Sequence, residues 1–101
     1  MRILIIDGHA MTSKNAMYTH LGRVFQFPEH FGNNLDALWD ILTEETEPTV
    51  IYFKEVAKLI EQMDGYGEKV IQVFQNLEQM TDNYTVHFYP DGKIEENKYR
   101  K

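Results

Sequence analysis

A chain of 101 residues, 43% hydrophobic and 26% charged, has the length of one compact domain and an ordinary globular composition, which excludes two domains, a disordered polymer or a membrane-spanning bundle. It contains no cysteine, so disulfides, thiolate metal sites and cysteine nucleophiles are ruled out. The net charge of -6 disfavours direct binding of nucleic acid and suits a basic protein partner.

Arg2-Ile3-Leu4-Ile5-Ile6-Asp7 is a nearly unbroken aliphatic run and predicts a strand buried on both faces. The run is too short for a secretory signal and has no small-residue cleavage site, so the expected location is the cytoplasm. Thr12 or Ser13 can cap a helix through about Val24, with Ala16, Met17, His20, Leu21 and Val24 at helical spacing. Phe25 to Phe31, with Pro28 inside it, reads as a loop or single turn. Gly32-Asn33-Asn34 supplies turn and capping chemistry ahead of a short helix from Leu35 to Leu42.

Pro48 introduces a second buried strand, Thr49 to Phe53. A third helix is expected from Glu55 to Met63 on Val56, Leu59, Ile60 and Met63. Asp64-Gly65-Tyr66-Gly67 breaks it, and Glu68 to Met80 forms a fourth on Val70, Ile71, Phe74 and Leu77. Tyr84 to Tyr89 is a third strand, stopped by Pro90-Asp91-Gly92. Strands separated by helices need crossover connections, so the expected fold is α/β: a three-stranded parallel sheet packed by about four helices. Residues 1–90 form the expected domain, and 91–101 a charged tail expected to be flexible.

Between Pro28 and Glu47 the chain carries Glu29, Asp36, Asp40, Glu44, Glu45 and Glu47 with no lysine or arginine. Asp36 and Asp40 stand one above the other on the second helix and repel, although the helix dipole favours an anion at Asp36. At roughly 100° per residue, Leu35, Leu38 and Leu42 form the core stripe and the two aspartates a polar ridge. Trp39 falls between them, able to anchor in the core and offer its indole edge outward. Two readings share this pattern: a solvated face beside a core tryptophan, or a hot spot that meets a basic pocket. No cofactor or metal is expected, because Asp36, Asp40 and Glu44 on one helix do not enclose a cation.

The segment Phe27-Pro28-Glu29-His30-Phe31-Gly32-Asn33-Asn34-Leu35-Asp36-Ala37-Leu38-Trp39-Asp40-Ile41-Leu42 closely resembles the barstar family. There, a Pro-Glu-aromatic-aromatic-Gly stretch leads into Asn-Leu-Asp-Ala-Leu-Trp-Asp, and a weaker likeness runs over roughly residues 2–89. The resemblance implies a barstar-like fold and a monomer that inhibits a small guanyl-preferring ribonuclease one to one. The second helix and its preceding loop would enter the enzyme's active site, where carboxylates take the places of RNA phosphates. Carried over by residue, Asp40 is the main phosphate mimic and Asp36 the second acid contact. Trp39 and the Gly32, Asn33 and Asn34 turn pack beside them; Glu44 is expected among the partner-binding residues from its place in the acidic segment, not from the resemblance. His30 falls where the best-known member has a tyrosine, and adds positive charge below about pH 6.5. Asn76 replaces an interface glutamate on the fourth helix, with Glu78 nearby. Both departures imply a ribonuclease different in detail.

Two alternatives stand beside this one. A barstar-like module could bind another basic protein, since the acidic helix suits any cationic pocket. An acid–base enzyme could use Asp7 and His9 at the sheet edge, where ligands of parallel sheets often bind. Yet the chain has no glycine-rich phosphate loop, nucleophile elbow or paired-histidine motif. His20 and His87 have plain structural explanations, in a helix stripe and a strand.

Overall fold

The computed structural model describes residues 1–29 and 31–92. His30 and residues 93–101, most of the expected tail, lie outside the described residues. Three strands, β1 (Arg2–Asp7), β2 (Thr49–Lys54) and β3 (Tyr84–Phe88), form one parallel sheet in the order β1-β2-β3. Arg2 pairs with Thr49 and Thr49 with Tyr84, and the register runs unbroken from there. Four helices connect and flank the strands: α1 (Lys14–Phe25), α2 (Leu35–Glu44), α3 (Val56–Gln62) and α4 (Tyr66–Met80). A single 3-10 turn, Gly8–Ala10, follows β1. This is the α/β architecture that the strand and helix order predicts.

Because the strands lie in chain order, right-handed crossovers place the connecting helices on one face of the sheet. That face holds Ile6, Ile51, Phe53 and Val86, which join Met17, Leu21, Leu38, Leu59, Phe74 and Leu77 in one core. Among the described residues no helix covers the other face. Ile3 and Ile5 are 61% and 50% exposed, and they stand in register with Val50 and Tyr52. The expectation that β1 is buried on both faces is therefore wrong. A continuous aliphatic run normally marks a strand covered on both sides, but here the helix layer covers only one. His87 lies on the open face, its ring stacked 5.3 Å from that of Tyr52.

The ends of the elements explain their positions. Ser13 caps α1, its Oγ accepting the Ala16 N–H at 3.1 Å. Helix α4 begins at Tyr66, earlier than expected, because the Asp64-Gly65-Tyr66-Gly67 stretch both ends α3 and opens α4. Glu68 Oε1 accepts the Gly65 N–H at 2.9 Å, and the Lys69 N–H reaches the Gly65 carbonyl at 3.4 Å. Gly67 is buried against Leu59 and Ile60 of α3. Helix α3 has no side-chain cap. Its first donors turn to the chain after β3: Glu55, Val56 and Ala57 give their N–H groups to the carbonyls of Asp91, Tyr89 and Pro90 at 2.8, 3.1 and 3.1 Å. Glu55 reaches this arrangement in the left-handed region, at φ 58°.

At the end of β1 the chain passes close under Glu55. A Cβ on Gly8 would fall on the Glu55 carbonyl oxygen and within 3.0 Å of the Leu59 Cβ. Helix α1 is tied to the same point by His20, whose Nε2 accepts the Asp7 N–H at 2.9 Å. Burial pushes the His20 imidazole below its ordinary value of 6.5, with the Asp7 carboxylate pulling it up and Arg23 pushing it further down. The unfolded chain thus holds the His20 proton more tightly than the folded one. The resulting stability is fully present above the ordinary value and is lost as pH falls through the lowered one.

Two outcomes are expected. Gly8→Ala should lower unfolding free energy by about 2 kcal/mol or more in urea titration, because backbone must move to admit the methyl group. In His20→Gln the amide oxygen can accept the Asp7 N–H without titrating. The wild type's stability relative to this variant should therefore fall between about pH 8 and about pH 5.

Candidate functional site

The loop between α1 and α2 is held from below by a ladder of rings. Phe25 stacks on Phe74 of α4 at 6.2 Å and on Phe27 at 5.6 Å, Phe27 stacks on Phe31 at 4.5 Å, and Phe31 meets Tyr18 of α1 at 5.9 Å. Helix α1 ends with Gln26 in the left-handed region, φ 59°, and Gln26 and Phe27 both donate to the Gly22 carbonyl. This turn directs Phe27 back toward the core. Tyr18 is 4% exposed, and its hydroxyl lies 2.6 Å from that of Tyr66. Burial, then the contact with Tyr66, raises its pKa. Tyr18 was absent from the stripe read off the sequence, although its spacing to Leu21 and Phe25 is helical.

Asn34 starts α2. Its Oδ1 accepts the Ala37 N–H at 2.8 Å and its Nδ2 donates to the Gly32 carbonyl at 3.1 Å, so one side chain caps the helix and closes the turn. A Cβ on Gly32 would lie 3.2 Å from that Nδ2 and 3.4 Å from the Ala37 Cβ, within the space the cap uses. Asn33 stands at φ 50°, a conformation asparagine tolerates better than most residues. All three turn residues singled out in the sequence are exposed, and all three shape the turn: Gly32 and Asn34 through the cap, Asn33 through its left-handed backbone.

On α2, Leu38 and Leu42 are buried, Trp39 is half-buried against the core, and Asp36, Asp40 and Glu44 are exposed. The tryptophan occupies the border that the helical projection assigns it. The acids divide into two groups. Glu45 and Glu47 are compensated: Arg2 lies 3.5 Å from Glu45 and 3.8 Å from Glu47, and the Met1 amine 3.5 Å from Glu47. Backbone hydrogen bonding from Glu47, with help from Arg2 and the Thr46 N–H, holds the Glu45 carboxyl below its ordinary value. Glu29, Asp36, Asp40 and Glu44 have no ion-pair partner among the described residues. The local deficit of cations seen in the sequence is therefore partly repaired from β1, and the remaining charge is concentrated on α2 and its loop.

The far end of α2 is pinned as firmly as its start. The buried Tyr84 hydroxyl donates to the Leu42 carbonyl at 2.8 Å, and Asn83 Nδ2 donates to the carbonyls of Glu45 and Glu47 at 2.9 and 3.2 Å. Asn76 comes from α4, which packs beside α2; it is half-buried, and its Oδ1 accepts the Gln72 amide at 2.9 Å. His30 lies outside the described residues. His9 is exposed in the 3-10 turn, and the Asp7 carboxylate that could partner it accepts the His9 backbone N–H at 3.0 Å instead. Among the described residues no group of three histidine or acidic side chains could hold a metal ion, and no helix is long and apolar enough to cross a membrane.

Helix α2 is thus anchored at both ends, with exposed acids and a half-buried tryptophan, on a small parallel α/β domain. Residues 1–90 match the family described as Barstar (barnase inhibitor), and the chain belongs to that family of ribonuclease inhibitors, which are not enzymes. Among curated proteins it is similar to the "Putative ribonuclease inhibitor YrdF" of Bacillus subtilis (strain 168), 31% identical over 88 residues, covering 85% of this chain and 97% of that protein.

The cap gives a direct check on this local architecture. Asn34→Ala should cost about 1 kcal/mol of stability in urea unfolding, the usual penalty for a lost side-chain cap, with the far-ultraviolet spectrum of the folded state unchanged.

Proposed function

We propose that the acidic ridge of α2 and the loop before it plug the active site of a small guanyl-preferring ribonuclease, one molecule to one, with carboxylates in the places of RNA phosphates. The observation that carries this reading is the unpaired state of Asp36, Asp40 and Glu44 beside half-buried Trp39, in a chain of the barstar family. Like charges one turn apart on a short helix work against its folding. A cationic cleft removes that repulsion when it binds, so what opposes the free fold favours the complex.

In this reading Asp40 is the principal phosphate mimic, Asp36 the second, and Glu44 extends the field. Trp39 supplies apolar contact at the border, and Gly32, Asn33 and Asn34 form the rim on the loop side. His30 and Asn76 are the positions fitted to this chain's own ribonuclease. Residues 1–90 form the inhibitory domain. The inhibitor acts in the cytoplasm of the cell that makes the ribonuclease and protects its RNA until export. Net charge of -6 facing a basic enzyme speeds encounter by steering.

The test is titration into a panel of barnase and the guanyl-preferring ribonucleases secreted by the producing organism, with RNA cleavage as readout. Stoichiometric inhibition is expected. Asp40→Ala should weaken it at least ~30-fold, as hot-spot truncation costs about 2 kcal/mol or more. Association should slow as salt rises from about 0.05 to about 0.5 M. Absence of inhibition across the panel at micromolar protein would sink the proposal, and binding to some other basic protein would then be the reading to pursue.

A further inference from the structure

Strand β1 is bonded to β2 on one side only. In a parallel ladder, alternate residues of a strand turn their N–H and C=O groups toward the same neighbour. The Arg2 N–H reaches the Pro48 carbonyl at 2.9 Å, so Arg2, Leu4 and Ile6 serve β2, and Ile3, Ile5 and Asp7 face the free edge. Asp7 agrees with this alternation, since its N–H goes to His20 of α1. No described residue takes the outward backbone groups of Ile3 or Ile5.

Proteins commonly blunt such an edge with a lysine, a proline or a bulge. Between Arg2 and Asp7 the strand carries neither residue, and its register with β2 is unbroken. Its side chains are apolar as well. Four large hydrophobic residues are exposed among the described ones, and three of them, Met1, Ile3 and Ile5, lie on β1 or at its start. The other edge differs. There the Tyr89 N–H goes to the Phe53 carbonyl, so the backbone groups of Tyr84 and Val86 face outward, and these two residues are only 4% and 6% exposed.

We propose that a second copy of this chain docks on β1, the two β1 strands pairing antiparallel about a two-fold axis through Leu4. The match of this edge to itself argues for that occupant. With the axis at Leu4, Ile3 of each copy stands opposite Ile5 of the other. Each of these two pairs exchanges two hydrogen bonds, and together they use every outward group of Ile3 and Ile5. The axis is perpendicular to the sheet, so the open faces of both copies fall on one side and opposite residues point the same way. The exposed isoleucines then cover one another in cross-strand pairs, within one sheet of order β3-β2-β1-β1-β2-β3. Centring the axis on Ile5 instead would set Ile3 opposite Asp7, whose N–H His20 already holds. So short a contact makes a weak dimer that forms with concentration. The net charge of -6 on each copy opposes it, and salt relieves that repulsion. The inference does not rest on the reading of α2, which contributes no residue to the pairing, and it departs from the monomer that the resemblance implies.

The chain has no cysteine, and Ile3 and Ile5 are exposed, so single cysteines there report the register. Under mild oxidation, Ile3→Cys mixed with Ile5→Cys should cross-link at least about threefold faster than either variant alone, because only the mixed pair stands directly opposite. By sedimentation equilibrium, the wild-type dimer should strengthen as salt rises from about 0.05 to about 0.5 M, the reverse of what is expected for ribonuclease binding. Ile5→Lys should abolish the dimer. Thr85→Lys, on the same open face but on β3, should leave it intact. A wild-type chain that stays monomeric up to about 1 mM, or cross-linking with no preference for the mixed pair, overturns the inference. Loss of the dimer in Thr85→Lys as well as in Ile5→Lys would mean that copies stack by their open faces, and the edge pairing fails.

Discussion

A parallel sheet whose strands lie in chain order can be wound with right-handed crossovers in only one way: each connection returns over the same face. In this protein that constraint organises the rest. It stacks all four helices against one side of the sheet, concentrates Ile6, Ile51, Phe53, Phe74 and Leu38 into a single layer, and leaves Ile3 and Ile5 in the open. Among the described residues there is no second helix layer, and the helix layer is also the outer surface on its side. Helix α2 buries Leu38 and Leu42 while Asp36 and Asp40 are exposed.

Much of this was legible in the sequence, and the exceptions have a common cause. The number, order and type of the elements followed from hydrophobic period and from Ser13, Asn34 and Pro48, because these are local signals. The exposure of Ile3 and Ile5 did not, since a strand's own residues do not record whether a helix layer lies on both sides of it. The early start of α4 was hidden by Gly65 and Gly67. Glycine next to an acidic turn reads as a break, whereas Gly67 is buried between two helices. The compensation of Glu45 and Glu47 by Arg2 joins positions more than forty residues apart, and no local window contains both partners. The acidic helix itself was visible, as was Trp39 at its border, but the way one Asn34 side chain both caps α2 and closes the turn on Gly32 needed side-chain geometry.

That anchoring bears on how an acidic helix is held in place without being neutralised. The acids of α2 have no ion-pair partner among the described residues, and the helix is held by other contacts: the Asn34 cap at one end, Tyr84 and Asn83 at the other, and the ring ladder under the loop. Anchoring through the backbone leaves the carboxylates unused. A helix held instead by salt bridges to Asp36 or Asp40 would have to break them before meeting a partner, and part of the binding free energy would be lost in doing so.

The way α3 begins has a consequence for how the protein is made. The N–H groups of Glu55, just before it, and of Val56 and Ala57 in its first turn donate to the carbonyls of Asp91, Tyr89 and Pro90, more than thirty residues later in the chain. On the ribosome, α3 emerges before its cap exists, and β2 emerges as an edge strand before β3 is there to pair with it. The helix that carries the acids is translated early, but Tyr84, which holds its C-terminal end, comes late. A nascent chain therefore displays the acidic segment without the frame that orients it. The contacts that hold both ends of α2 are complete only once β3 has left the exit tunnel, so a partly synthesised chain lacks the frame of the completed domain.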